Sequence, residues 1–190
     1  MDIAAQKSRI ISALRDISRP GMDDLIGYLE SSDFFRAPAS TRFHAAYEGG
    51  LAQHSWNVFR LFGEKVKTYG LEVPADSIAI CGLLHDLCKT NTYVRGKKNV
   101  KQDGKWIEKE EWLYQEALPF GHGEKSVYLL QNHIRLTEQE AMTIRWHMGF
   151  SEPKENWRKF DEARDKYPCI IAFYVADIEA SFLCELRGEG

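Results

Sequence analysis

Six residues carry metal-ligand side chains at places where the surrounding pattern calls for apolar ones: His54, His85, Asp86, His122, His147 and Asp177. His85 and Asp86 lie within Leu83-Leu84-His85-Asp86-Leu87-Cys88-Lys89. Burying an unpaired carboxylate costs several kcal/mol, so Asp86 needs a cation, a metal or hydrogen-bond donors beside it. Taken alone, the dipeptide also fits an Asp86–Lys89 ion pair with His85 hydrogen-bonded in the core. His54 falls near the start of one amphipathic segment, His122 opens another after Gly121, and His147 closes one before Gly149; Asp177 interrupts a segment just after the eight-residue apolar run from Cys169 to Ala176. Four imidazoles and two carboxylates suit Mn, Fe, Co, Ni or Zn better than an all-oxygen calcium cage. Two such ions held ~3.5–4 Å apart can share a hydroxide as nucleophile and act as Lewis acids on a phosphoryl oxygen.

The elements that must position these residues are helical. Ile3, Ile10, Ile11, Leu14 and Ile17 recur at helical spacing and Pro20-Gly21 ends the segment, and a short helix from Met22 to about Glu30 follows, with Asp23 and Asp24 in its first turn. Residues 31–50 read as irregular. An amphipathic helix covers Leu51–Tyr69 and stops at Gly70, and Pro74 starts a helix from about Ala75 to Cys88 that is apolar nearly all round and therefore central. Between residues 90 and 119 the helical period fails; Tyr93-Val94, Val100, Trp106-Ile107 and Trp112-Leu113-Tyr114 flank the turn dipeptide Asp103-Gly104, which predicts a β-hairpin insertion at about 92–114. Helices resume at His122 to about His133, at Glu138 to about His147 after the N-cap Thr137, at about Asn156 to Lys166, and from Pro168 onward. The expected class is mostly α, a single domain over 1–190 with N-terminal helices in 1–48 and a metal-binding core in 49–181. The chain has no internal repeat, low-complexity segment or long linker.

Histidine, His-Asp pair and distal aspartate in this order, here His54, His85-Asp86 and Asp177, resemble the HD-domain superfamily of metal-dependent phosphohydrolases. His122 and His147 resemble the extra ligands of its binuclear branch, which includes cyclic-dinucleotide phosphodiesterases and a family of bacterial exoribonucleases. The phrases Gly49-Gly50-Leu51, Leu84-His85-Asp86, Gly121-His122-Gly123-Glu124-Lys125-Ser126 and Arg145-Trp146-His147 are similar to small stand-alone HD proteins of bacteria and phages, over about Gly49 to Ser181. The resemblance implies an all-α HD bundle holding two divalent transition metal ions. In it Asp86 bridges, His54, His85 and Asp177 complete one site, and His122 and His147 complete the other. Lys89, near the same mouth, is expected to neutralise charge developing on the phosphate, or else to be a solvated helix-end lysine. Lys125, Ser126, Arg145 and Tyr93 are expected at the substrate, with plain helix-start and salt-bridge roles as the alternatives. The insert also offers Arg95, Lys97, Lys98, Lys101, Trp106 and Trp112 to stack a base and hold a phosphate backbone, or as a solvated charged face. His44 reads as a surface or structural histidine, with the pocket wall as its alternative; His133 reads as a C-terminal cap.

Composition narrows the partners. With 190 residues, 44% hydrophobic and 28% charged, the chain fits one domain with an ordinary core. A net charge of −3 does not announce a binder of long duplex nucleic acid. The longest apolar run is far short of the ~20 residues that span a membrane. The charged N-terminus and four cysteines without CxxC spacing, read as small buried hydrophobes, place the chain in the cytoplasm. The expected function is a metal-dependent phosphohydrolase acting on a nucleotide or short oligonucleotide through a metal-bridged hydroxide, with the insert as specificity element. The competing readings are a di-iron HD oxygenase and a non-catalytic nucleotide-binding regulatory protein. A homo-oligomer built on the apolar N-terminal helix is compatible with the pattern.

Overall fold

A computed structural model describes residues 2–102 and 104–185, so Asp103 of the expected turn lies outside the described residues. The elements are α1 (Ile3–Arg15), α2 (Met22–Ser31), α3 (Gly50–Tyr69), α4 (Ala75–Leu84), β1 (Tyr93–Gln102), β2 (Lys105–Tyr114), α5 (His122–Gln131), α6 (Glu138–Arg145), α7 (Trp157–Lys166) and α8 (Cys169–Glu179). The class is mostly α with a two-stranded antiparallel insertion, as the periodicity predicts. No single helix among the described residues is long and apolar enough to cross a membrane.

The core forms where α3, α4 and α8 meet and is closed from the N-terminal side by α1 and α2, with Phe34, Phe62, Phe173, Leu51, Leu83 and Leu84 fully buried. Two glycines let neighbouring helices meet closely. A Cβ on Gly82 of α4 would stand 2.4 Å from Phe59 Cα of α3, and one on Gly123 of α5 would stand 2.2 Å from the Arg145 carbonyl oxygen of α6. Only hydrogen at these positions lets each helix pair close, and each pair carries two of the histidines.

Several boundaries differ from the sequence expectation. The first helix ends at Arg15, with Asp16 as its cap. The central helix ends at Leu84 rather than Cys88: His85 donates the last α-helical bond, to Cys81 O at 3.0 Å, Asp86 leaves helical geometry at φ −100°, ψ 22°, and residues 87–89 form a tighter turn. That break turns the Asp86 carboxylate into the interior. The helix from His122 stops at Gln131, and His133 is no cap; its Nδ1 pairs with Asp24 Oδ2 of α2 at 2.5 Å. Thr137 caps α6 in a reciprocal capping box with Glu140. Cys184 is exposed, against the expectation that all four cysteines are buried, because it follows α8 on the irregular last turn Ala180–Cys184.

Glu140 is the polar anchor of the bundle. Its fully buried carboxylate accepts from two Arg19 nitrogens at 2.7 and 2.9 Å, from Ser77 Oγ at 2.7 Å and from the Thr137 N–H at 2.8 Å. Burial pushes its pKa up, but these donors outweigh burial and hold it below the usual carboxylate range.

Candidate metal centre

All six residues singled out by type and spacing converge on one buried cluster. Asp86 is central and uses its two oxygens on opposite sides. Oδ2 lies 3.5 Å from His54 Nε2 and 3.4 Å from His85 Nε2, whereas Oδ1 lies 2.8 Å from His122 Nε2 and 3.5 Å from His147 Nε2. Asp177 Oδ1 approaches His54 Nε2 at 3.1 Å, and the Nε2 atoms of His54 and His85 are 3.3 Å apart. Compact ligand groups can be drawn as His54–His85–Asp86 and as His85–His147–Asp177, so His85 and Asp177 face both halves of the cluster.

Local structure explains why the rings point inward. His85 caps α4 and places Nδ1 3.1 Å from Gly82 O; His147 follows α6 and places Nδ1 2.7 Å from Ile144 O; His54 places Nδ1 3.0 Å from Glu185 Oε1. An acceptor behind each ring puts the hydrogen on Nδ1 and leaves the Nε2 lone pair directed into the cluster. Inward lone pairs and two carboxylates form a donor set that fits divalent cations. The electrostatics agree. At His54, burial opposes charge, but Asp177 and Glu185 overcome it and raise the pKa to about 10. Burial likewise opposes the charge on Asp86, and Lys89 with the surrounding histidines holds it well below the usual range. Asp86, Asp177 and Glu185 bring three carboxylates to the cluster, and divalent cations there would balance them.

The cluster floors a cleft of about 320 Å³. Asp86, Lys89, His122, His147 and Asp177 line it together with Tyr93 at the base of β1. Lys89 Nζ is 2.7 Å from Asp86 Oδ2 with its side chain 13% exposed, so it is not a solvated helix-end lysine. The other expected substrate contacts are placed elsewhere. Lys125 is buried, its ammonium held by Glu116 Oε1 at 2.8 Å and Thr92 Oγ1 at 3.1 Å. Ser126 Oγ accepts the Cys88 N–H at 3.0 Å and so braces the turn that carries Asp86. Arg145 is pinned between Glu124 at 2.6 Å and Glu152 at 3.0 Å, which leaves no fork for a phosphate.

Sequence reasoning missed several neighbours. Cys88 Sγ sits 3.5 Å from His122 Nδ1, and burial pushes its thiol up to about 12. His44 does line the cleft, its ring 5.0 Å from that of His54. Met148, Ser151, Tyr174, Ile178 and Phe182 complete the walls, and Glu185 backs His54 from the far end of the chain. The apolar run Cys169–Ala176 singled out Asp177, but the wider π turn at Ala180–Cys184 then shifts the register, so no spacing pointed to Glu185.

The HD domain family model matches residues 51–180. Among curated proteins, the dihydroneopterin 2′,3′-cyclic phosphate phosphodiesterase of Methanocaldococcus jannaschii is 39% identical over 72 residues, which is 36% of this chain and 27% of that relative; the chain thus spans little more than a quarter of the relative's length. No solved structure matches. The family match runs through most of the chain and encloses all six clustered residues, so the chain belongs to the HD domain family.

Proposed function

We propose that this chain is a metal-dependent phosphohydrolase that cleaves a phosphoester of a nucleotide or a similarly small aromatic phosphoester, with one divalent transition metal ion on each side of Asp86. The observation that carries this reading is the split use of the Asp86 carboxylate, one oxygen toward His54 and His85 and the other toward His122 and His147. Bound there, such ions supply a water of lowered pKa and Lewis acidity toward phosphoryl oxygens. The residues around them do the rest. Lys89 presents its ammonium on the cleft wall beside Asp86, positioned to offset negative charge that builds on the phosphate. Burial pushes the pKa of His44 down to about 4, and its ring forms part of the cleft wall. Tyr93, Tyr174 and Phe182 give the cleft aromatic surfaces for a heterocyclic base.

The size of the cleft favours a single nucleotide-sized ligand over a long chain. A diester is favoured by the phosphodiesterase name of the Methanocaldococcus relative. The test is purified protein with Mn²⁺ added, assayed on bis(p-nitrophenyl) phosphate, 2′,3′-cyclic nucleotides and nucleoside monophosphates. Metal-dependent turnover of a cyclic or simple diester is the expected result. Metal uptake with no turnover of any phosphoester overturns the reading, and iron uptake with oxygen consumption replaces it with oxygenase chemistry.

A further inference from the structure

His54 differs from its neighbours in how its ring is held. His85 and His147 each turn Nδ1 onto a carbonyl three residues earlier, Gly82 O and Ile144 O. Both carbonyls lie in the last turn of a helix, where the backbone leaves acceptors for other donors. His54 cannot do this. It is the fifth residue of the 20-residue helix α3, where the carbonyls below it are engaged by the helix itself. Its acceptor must come from elsewhere in the chain, and Glu185, 131 positions later, provides it.

Glu185 is built for the purpose. Its side chain is 0% exposed, Oε1 lies 3.0 Å from His54 Nδ1, and the same oxygen accepts from Asn57 Nδ2 at 3.1 Å. Asn57 is held in turn by Gln53 Nε2 at 2.9 Å, and Gln53 Oε1 accepts from Arg9 at 3.1 Å. A polar chain therefore runs from α1 through α3 to the ring that faces Asp86 and Asp177. Ser181 and Phe182, on the turn that leads to Glu185, form part of the cleft wall.

We propose that Glu185 is the positioning residue of His54. It fixes the ring's hydrogen on Nδ1 and aims Nε2 at the metal side of the cluster. The inference rests on the metal centre proposed above. A carboxylate behind a metal-bound imidazole both orients the ring and makes it a stronger ligand, and loss of such a partner typically weakens metal binding ~10–100-fold.

The experiment compares the full chain with Glu185→Ala and Glu185→Gln for Co²⁺ and Mn²⁺ affinity, by competition with a chelating dye, alongside far-ultraviolet circular dichroism of the metal-free proteins. Glu185→Gln keeps the shape and one acceptor oxygen, so it carries the test in case Glu185→Ala does not fold. The expected result is a loss of affinity of about tenfold or more for Glu185→Ala, an intermediate loss for Glu185→Gln, and unchanged helical content. Affinity within twofold of the parent in both variants overturns the proposal and leaves the metal centre standing. A parent protein that takes up neither ion overturns the metal centre itself.

Discussion

The metal cluster and the β-hairpin are the two regions of this molecule richest in functional side chains, and they are built in opposite ways. In the cluster, His54, His85, Asp86 and His147 are all but fully buried, and three of the four rings are held from behind by an acceptor. In the hairpin, β1 and β2 pair in register from Tyr93–Tyr114 to Gln102–Lys105, and beyond its base most side chains face water; Trp106 is 70% exposed. The cluster has one arrangement because every member is fixed by several others. A two-stranded ribbon packed chiefly on itself has far less to hold it. Tyr93 is the point where the regions meet, at the base of the ribbon and on the cleft wall.

The sharpest way to break this contrast is at Asp86. Asp86→Asn keeps shape but loses the charge shared by both halves of the cluster; metal content should fall and phosphoester turnover should drop roughly 10³-fold, read by elemental analysis and initial rates. Lys89→Met should cost about 10²-fold in turnover while metal content stays at the parent level, which separates charge stabilisation from metal holding. Away from the site, Arg19→Ala leaves the buried Glu140 carboxylate short of its main partner and should destabilise the fold by about 3–5 kcal/mol in denaturant titrations. The same carboxylate sets a pH dependence. Its folded pKa lies below the unfolded value, so its contribution is present above about pH 4.3 and is lost as pH falls through the folded pKa. Glu140→Gln should accordingly flatten the acid limb of the stability curve. At the small end, Trp106→Ala should change stability by no more than about 0.5 kcal/mol and leave metal content untouched. A larger effect there would show that the outer ribbon is part of the rigid core.

The same contrast explains what could be read from the sequence. Polar ligand types inside apolar patterns, as at His85-Asp86 and after the Cys169–Ala176 run, are visible because burial makes them costly, and the structure brings them together. The insertion was legible from its alternation and its Asp103-Gly104 dipeptide. Partnering was not. Lys125, Ser126 and Arg145 stand beside ligand histidines in sequence, yet each is claimed by a nearer group, Glu116, the Cys88 N–H or Glu124, and only three-dimensional packing chooses among such partners. Helix ends slipped for a related reason: Leu87 and Cys88 continue the apolar pattern of α4 but serve the turn that swings Asp86 inward. Glu185 gave no signal because its partner is 131 residues away and a π turn separates it from the period of α8.

The proposed place of Asp86 between two metal ions can be read from anomalous diffraction by crystals of the Mn²⁺-loaded protein. Two peaks ~3.5–4 Å apart are expected, with Asp86 between them, one beside His54 and His85 and the other beside His122 and His147. A single peak, or two peaks on the same side of the Asp86 carboxylate, would contradict it.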